Sequence, residues 1–237
     1  LINTYGYNLE PGSKELTALN YYTNEEITIP LDPTQTPGEN AQRYFAKYNK
    51  QKRTFEALTE LIQETADDIQ YLESISNALD IALNEADLAQ IKEELMQSGY
   101  IRRKHTKKKV KLTSKPMHYI SSDGYDMYVG KNNLQNEELT FSFANGNDWW
   151  FHAKGAPGSH VIVKSGGDEL PDRTFEEAGR LAAYYSKNRG ADKVEIDYIQ
   201  KKHVKKPNGA KPGFVVYYTN YSLVIDSDIS NIKNVQD

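Results

Sequence analysis

Cysteine is absent from this chain of 237 residues, which excludes disulfide bonds and thiolate metal ligands. Long apolar runs are absent too: none approaches the roughly 18 residues that suggest a membrane-spanning helix, so we expect no membrane insertion. A cysteine-free chain fits the reducing cytoplasm, although many surface proteins of Gram-positive bacteria also avoid cysteine. The composition therefore predicts a cytoplasmic location and leaves the cell surface open as an alternative.

Motifs for enzymatic and cofactor chemistry are also missing. The sequence contains no glycine-rich phosphate or dinucleotide loop. His152 and His160 are eight residues apart with Asp148 as the one nearby carboxylate, which is poor spacing for a metal site. Ser159 adjoins His160, but neighbouring strand residues point to opposite faces and do not form a nucleophile–base pair. We therefore expect no catalytic activity, no metal and no cofactor.

The net charge of −4 is unevenly distributed along the chain. Residues 1–99 carry 7 Lys/Arg against 17 Asp/Glu, a net charge of −10, whereas residues 100–116 carry 8 Lys/Arg and no acid. An acidic part, a basic linker and a near-neutral remainder indicate a modular protein. The basic run is interpreted as a solvated linker, with phosphate contact by lysines 107–109 as the alternative.

Residues 1–39 are rich in Gly, Pro, Asn and Tyr. The segments ELTALNYY and ITIPLD flank a polar turn and predict a small β-hairpin, which PTQTPGEN ends with two prolines and a glycine. Because the first residue is Leu1 and not Met, we also expect this chain to be a piece of a longer protein.

Residues 40–99 predict coiled-coil helices. No Gly or Pro interrupts residues 39–98, and a helix from Glu39 to Leu83 would span roughly 65 Å. Asn84 is a suitable N-cap for a second helix that Gly99 would end. The long helix carries an apolar seam at the alternating three- and four-residue spacing of a heptad repeat, formed by Phe55, Leu58, Ile62, Thr65, Ile69, Leu72, Ser76 and Leu79.

This seam needs a partner, because packing of an apolar face supplies most of the stability of a protein helix. The second predicted helix is long enough to cover barely a third of the seam. The rest of the partner is either a helix that precedes Leu1 or a second copy of the chain, and we favour the first. A homodimer through the long helix is the alternative, and in both cases the seam residues serve as scaffold. Within one copy of this chain, we expect the seam to be exposed at Phe55, Leu58, Ile62, Ile69 and Leu72.

The pattern changes at Met117. Short β-branched and aromatic runs predict strands, while KNNLQNEELTFSFA and RTFEEAGRLAAYYSKN predict helices. Because strands outnumber helices and hairpin spacings dominate, residues 117–237 predict an α+β domain with a mostly antiparallel sheet. The whole chain is thus predicted as a long helical coiled-coil arm with a small β tip, followed by this α+β domain. The predicted strands are MHYIS, DMYVG, WWFHA, HVIVK, KVEIDYIQ, GFVVYYTN and YSLVID.

Both tryptophans of the chain lie in one predicted strand. Alternation places Asp148, Trp150 and His152 on one face of it and Trp149 and Phe151 on the other. One face can be core while the other presents a flat ring and an imidazole, which are groups that stack on RNA bases. The plainer alternative is that all of these rings are buried core residues.

Three further segments offer hydrogen-bond donors to RNA. The turn GAPGSH can form an anion-binding nest of backbone N–H groups, KNNLQN supplies amides, and QKKHVKKPNGAKPG places cations in a loop. The plainer alternative is a structural turn and a lysine-rich loop that is merely soluble. The candidate RNA-binding residues are Lys131, Asn132, Asn133, Gln135, Asn136, Asp148, Trp150, His152, Gly158, Ser159, His160, Lys201, Lys202, His203, Lys205, Lys206 and Lys211.

Four motifs in residues 117–226 resemble the NFACT-R domain of the NFACT family, to which RqcH and NEMF belong. Residues 1–99 contain segments that resemble the middle coiled-coil region of the same family, so the resemblance covers nearly the whole chain. Lys131 and Glu137 stand where the family usually has Arg and Asp, and the lysine keeps the charge but loses a bidentate contact. The motifs are YVGKNNLQNEELT, DWWFHAKGAPGSHVIV, EEAGRLAAYYSK and KKPNGAKPGFVVY, and LNYYTNEEITIPLD and ENAQRYFAKYNKQK belong to the middle region.

The resemblance implies a protein that binds a large ribosomal subunit with a stalled nascent chain and recruits tRNA. Non-templated residues, alanine in the bacterial type, are then added to the nascent chain as a degradation tag. The ribosome catalyses the peptidyl transfer, so this protein would position tRNA, and its hairpin of residues 1–39 would meet the ribosomal stalk base. Some Gram-positive members are called fibronectin-binding proteins, so an adhesin that binds host fibronectin is the alternative function.

The family's motif assigns its Asp, Trp and His to Asp148, Trp150 and His152 of this sequence. The resemblance therefore favours that face of the strand as the functional one. Asp148 would orient His152 or stabilise its charge, and Trp150 would offer a stacking plane or form a wall of the pocket. The segment Gly158–His160 would donate hydrogen bonds to a phosphate or to a tRNA end.

Overall fold

The computed structural model describes residues 1–102 and 114–235. It consists of two compact units, Leu1–Ala66 and Asp67–Asp237. Lysines 107–109, predicted as alternative phosphate contacts, lie outside the described residues. In the part of the chain that is described, no helix combines the length and the apolar character needed to cross a bilayer.

The first unit contains the predicted hairpin, which is confirmed. It consists of antiparallel strands β1 (Glu15–Asn20) and β2 (Glu25–Pro30), preceded by a short helix α1 (Ile2–Tyr5) and a 3-10 turn (Gly6–Asn8). Asn24 closes the hairpin with a φ of 56°, a left-handed conformation that Asn tolerates. The small core of this unit consists of Ile2, Leu16, Ala18 and Leu31.

The two predicted helices are α2 (Pro37–Ile81) and α3 (Glu85–Gln97). Thr36 and Glu39 form a capping box at the start of α2: the Thr36 hydroxyl accepts from the Glu39 N–H at 3.2 Å, and the Glu39 carboxylate accepts the Thr36 N–H at 2.8 Å. Asn84 caps α3 as predicted. The sequence placed both ends of α2 two residues too late, which is within the usual uncertainty of helix ends.

Helix α3 packs against a different face of α2 than the seam suggested. The buried contact joins Tyr71, Ile75 and Ala78 of α2 to Ile91 of α3. The expectation that α3 covers part of the seam is therefore wrong, because α3 meets a neighbouring stripe. The expectation that the seam is exposed is confirmed: the exposed fractions are 72% for Phe55, 50% for Leu58, 68% for Ile62, 56% for Ile69, 43% for Leu72 and 49% for Leu79.

The second unit is built on a seven-stranded sheet in the order β8-β7-β5-β6-β4-β3-β9. Every described strand pair in it is antiparallel, which confirms the predicted α+β class. The strands are β3 (Met117–Ile120), β4 (Asp126–Val129), β5 (Trp149–Ala153), β6 (Val161–Val163), β7 (Val194–Gln200), β8 (Tyr221–Ile225) and β9 (Lys233–Asn234).

Each face of the sheet carries its own apolar cluster. Helix α5 (Asp172–Tyr184) covers one face with a core that includes Phe151. On the other face, a second cluster surrounds Trp150. It includes Leu139 and Phe141 from the π-helical segment (Leu139–Phe143) that continues helix α4 (Asn133–Glu138). It also includes Val204, Val215 and Tyr217 from a covering segment, residues 204–217.

The segment GFVVYYTN was predicted as a strand, and this prediction is wrong. Residues 213–220 form one isolated antiparallel bridge, Val216 with Lys205. Both edges of β7 are already paired, with β5 and β8, so the segment cannot enter the sheet there. Val215 and Tyr217 instead pack over the cluster around Trp150.

Candidate nucleic-acid interface

Alternation along β5 is confirmed, but both faces of the strand are buried at its centre. Phe151 is 0% exposed on the α5 side, and Trp149 lies edge-on to Phe175 of α5 at 4.8 Å. Trp150 is also 0% exposed. Trp150 is therefore not an open stacking plane, because Val215 and Tyr217 of the covering segment pack over it. It does form part of a cavity wall, which was the alternative role.

A cavity of about 450 Å³ opens beside Trp150. The ring of His152 stacks on Trp150 at 5.6 Å with an interplanar angle of 20°, and His160 meets Trp150 edge-on at 5.1 Å. The ring centroids of Tyr217 and Trp150 are 5.1 Å apart. The cavity is also lined by Tyr71 and neighbouring residues of α2, by the loop 155–158 and by the loop 209–215.

Both histidines of the cavity are uncharged at neutral pH. Burial lowers the pKa of His152 to about 4, although backbone groups at Gly158 and Ala153 and the charge of Asp197 act in the opposite direction. Burial also lowers the pKa of His160 well below its usual range, and its neighbour His152 adds to the effect. The wall of the cavity is therefore polar and aromatic and carries no imidazolium charge.

Asp148 does not orient His152, so that expectation is wrong. The Asp148 carboxylate is 1% exposed and accepts from Lys164 Nζ at 2.5 Å, from the backbone of Asn145 at 2.7 Å and from the backbone of Ser165 at 3.2 Å. Asp148 precedes the first residue of β5 and turns toward the end of β6, away from His152. It fixes the entry to the strand.

The anion nest predicted at Gly158–His160 has two of its N–H groups bonded inside the protein. The Ser159 N–H donates to the Tyr185 carbonyl at 2.9 Å, and the His160 N–H donates to Asn136 Oδ1 at 2.9 Å. The Ser159 hydroxyl is buried. Gly158 does line the cavity, so its part in ligand contact stays a prediction.

The amides of KNNLQN are buried and bonded inside the protein. Asn132 and Gln135 donate to Gln90 of α3 at 2.9 and 2.7 Å, and Asn133 donates to Glu94 of α3 at 2.8 Å. Lys131 forms an ion pair with a carboxylate of α3. In this structure the motif joins α4 to α3, and its candidate role in RNA contact stays untested.

That ion pair joins Lys131 Nζ to Asp87 Oδ1 at 2.5 Å, with side-chain exposures of 6% and 1%. Burial would raise the pKa of Asp87, but hydrogen bonds from Lys131, Ser114 and the Leu83 backbone outweigh it, so the pKa is lowered. Burial raises the pKa of Glu94 despite the hydrogen bonds that the carboxyl receives. The contact between α3 and the KNNLQN motif therefore contains one buried ion pair. It also contains one carboxyl, that of Glu94, whose raised pKa favours the neutral form.

The cations of the loop after β7 fall into two groups. Lys206 pairs with Glu137 at 2.6 Å, and Lys211 pairs with Asp68 at the rim of the cavity. Lys202 and Lys205 are exposed, and neither forms an ion pair with a described residue. Lys201 and His203 complete the group, with Lys201 Nζ 5.9 Å from the Phe141 ring.

Several cavity residues were missed by the sequence analysis. Tyr217 and Phe214 lie in the segment that was predicted as a strand, where apolar alternation gave no sign of a ligand pocket. Gln70 and Tyr71 line the cavity from α2, and nothing in a helical repeat marks such residues. Within the described residues, no group of three or more His, Asp or Glu side chains is placed to hold a metal ion.

Known families match both parts of the chain. Residues 1–114 match the family model for NFACT N-terminal and middle domains, and residues 115–219 match the model for the NFACT protein RNA binding domain. The chain is 43% identical over 237 residues to the Rqc2 homolog RqcH of Streptococcus pneumoniae, and 41% identical over 233 residues to that of Bacillus subtilis. It spans 42% and 40% of the length of these two relatives.

A solved structure has the same fold. It is the C-terminal part of the fibronectin/fibrinogen-binding protein from Streptococcus suis, with a TM-score of 0.75 and 43% sequence identity. The match covers 83% of this chain and 78% of that one. By its sequence and by its fold, this chain belongs to the NFACT family.

Proposed function

We propose that this chain is the C-terminal part of a ribosome-associated quality-control factor and that residues 115–219 bind RNA. One observation carries the proposal. The part that matches an RNA-binding domain contains a loop, residues 201–213, that is rich in lysine and that also lines the cavity. Lys202 and Lys205 of this loop are exposed and form no ion pair with a described residue. Residues 209–213 of the same loop line the cavity.

In this proposal the partners are the large ribosomal subunit and tRNA. The parent protein would recruit tRNA for non-templated, alanine-type tailing of a stalled nascent chain in the cytoplasm. The chain would position RNA and would not be a catalyst. Support comes from the 41–43% identity to RqcH proteins. Further support comes from the cationic loop 201–213, part of which lines the cavity beside Trp150.

The salt dependence of RNA binding tests this proposal. Replacing Lys202 and Lys205 by Gln should flatten the slope of log K against log salt for tRNA, by up to about 0.9 for each phosphate that the variant no longer neutralises. The matched control replaces Lys193 and Lys233, exposed lysines away from this loop, and should leave the slope unchanged. An equal slope in both double variants would remove the loop from the RNA site.

A second candidate is binding of host fibronectin at the cell surface. It is favoured by the likeness to the Streptococcus suis protein, which is called fibronectin/fibrinogen-binding. Immobilised fibronectin should then bind the chain saturably, and the Lys202→Gln/Lys205→Gln variant would bind equally well at physiological salt. Binding of RNA without saturable binding of fibronectin would reject this candidate.

A further inference from the structure

The cavity beside Trp150 has the size and the aromatic lining of a pocket for one flat, uncharged group. Its volume of about 450 Å³ lies within the range of small-ligand pockets, and aromatic rings form its walls. We propose that it accepts one unpaired nucleobase of a bound RNA, while the ribose and phosphates stay outside. The inference rests on the proposed function, that residues 115–219 bind RNA, and assigns the cavity a ligand class.

The cavity is not suited to a phosphate. Lys211 is the one Lys or Arg among its described lining residues. Lys211 is already held at the rim by Asp68, by the Tyr100 hydroxyl at 2.9 Å and over the Tyr71 ring at 4.6 Å. The imidazole of His152 is neutral at physiological pH. A phosphate would lack the charged donors that strong phosphate binding uses, whereas a neutral base needs none.

The walls and rim match what a nucleobase requires. His152 and Tyr217 offer ring surfaces, and Phe214 adds a ring that is 48% exposed at the opening; unpaired RNA bases are bound by such stacking. Gln70 at the rim carries an amide donor and an amide acceptor, which suit a base edge. Trp150 Nε1 is buried behind the His152 ring and has no hydrogen-bond partner within the described chain.

A variant that fills the cavity tests the proposal without removing a core side chain. Ala210 lines the cavity, and Ala210→Trp would occupy its space. Ala191→Trp is the matched control, because Ala191 is exposed and is not part of the lining. Phe214→Ala provides a second variant at an exposed position. Thermal melts of all variants show whether each one is folded.

The probe is a single-stranded hexaribonucleotide that carries one 2-aminopurine. Its fluorescence should fall when the wild-type chain or Ala191→Trp binds it, because the base stacks on cavity rings. In Ala210→Trp this quench should be lost, and the affinity should fall about 5- to 150-fold, which corresponds to the free energy of stacking one base. Phe214→Ala should weaken the quench.

Two results would overturn the inference. The first is equal affinity for both tryptophan variants with no quench; salt-dependent binding through Lys202 and Lys205 would then still support the proposed function. The second is displacement of the probe by N-acetyltryptophanamide and not by adenosine, which would assign the cavity to an aromatic side chain of a peptide. Failure of the wild-type chain to bind RNA at any salt concentration would reject the inference and the proposed function together.

Discussion

At the residue scale, the central feature is a buried indole, Trp150, with the neutral imidazole of His152 stacked on it and that of His160 edge-on to it. His160 Nδ1 lies 2.8 Å from the Thr140 hydroxyl, and the two imidazole centroids are 5.4 Å apart. Desolvation lowers the pKa of both rings, because a protonated ring loses its hydration on burial, and the charge of Asp197 only partly offsets this loss at His152. The two imidazoles therefore add no positive charge to the cavity wall at neutral pH.

These two histidines predict a pH dependence of stability. Because the folded pKa of His152 is about 4 against an ordinary 6.5, the unfolded chain binds more protons between these values. The free energy of unfolding should therefore fall as pH decreases from about 6.5 to 4, by roughly 2–3 kcal/mol from His152 alone. Urea denaturation of the wild type and His152→Phe should show a smaller fall in the variant. His203→Gln, at an exposed position, should behave as the wild type.

Adjacent residues of β5 should respond differently to truncation. Phe151→Ala removes a fully buried ring from the α5 core and should cost about 3–5 kcal/mol of stability. His152→Ala removes a partly accessible ring from the cavity wall, so it should cost much less and weaken RNA binding. Thermal melts and tRNA titrations measure both effects. If His152→Ala unfolds the domain while binding per folded molecule stays normal, the residue is structural.

The sequence predicted the alternation of β5 because the two-residue period of a strand is a local property. It did not predict that the Asp148 carboxylate would accept hydrogen bonds from Lys164 and from the backbone of Ser165, because these partners lie 16 and 17 residues away in the sequence. It gave burial of Trp150 only as the plainer alternative, because the covering residues Val215 and Tyr217 come from a separate part of the chain.

At the element scale, the polar contact between α3 and α4 is held by a buried ion pair, and a double-mutant cycle can measure it. Lys131→Met leaves the Asp87 carboxylate buried without its cation and should cost about 3–5 kcal/mol. Asp87→Asn should also destabilise the protein, while the double variant should be more stable than the sum of the two losses predicts. Additivity within about 0.5 kcal/mol in urea denaturation would contradict the ion pair.

The exposed seam of α2 predicts self-association of this chain. Large exposed apolar stripes drive association, so sedimentation velocity should show a mass that rises with concentration. Ile62→Glu should reduce the association, and Gln51→Glu, which adds the same charge at another exposed position of α2, should not. A strict monomer at high concentration would reject the homodimer and leave the seam to another partner.

The partners of the KNNLQN motif and the conformation of GFVVYYTN could not be predicted from the sequence. The motif KNNLQN was interpreted as an RNA contact, but its amides find partners on α3 that lie 39 to 45 residues away, and no sequence period encodes that distance. GFVVYYTN has the composition of a strand, yet strand composition reflects a half-buried pleated surface. A covering segment over an aromatic cluster satisfies the same requirement.

At the scale of the whole molecule, the proposed function requires an RNA-binding domain and a large RNA-containing partner, the large ribosomal subunit. The chain spans 42% of the length of the curated relatives from Streptococcus pneumoniae. The order of hairpin, long helix and α+β domain followed from composition and periodicity, because each element has its own local pattern. The cavity beside Trp150 did not, because α2, the loop after β5 and the covering segment all contribute to it.

Co-sedimentation with purified large ribosomal subunits tests the central claim most directly. The wild-type chain should pellet with the subunits at low salt and be released as salt is raised. Lys202→Gln/Lys205→Gln should be released at lower salt than the wild type, and Lys193→Gln/Lys233→Gln should match the wild type. If the chain stays in the supernatant at every salt concentration, or if both double variants behave alike, residues 115–219 do not bind ribosomal RNA through this loop.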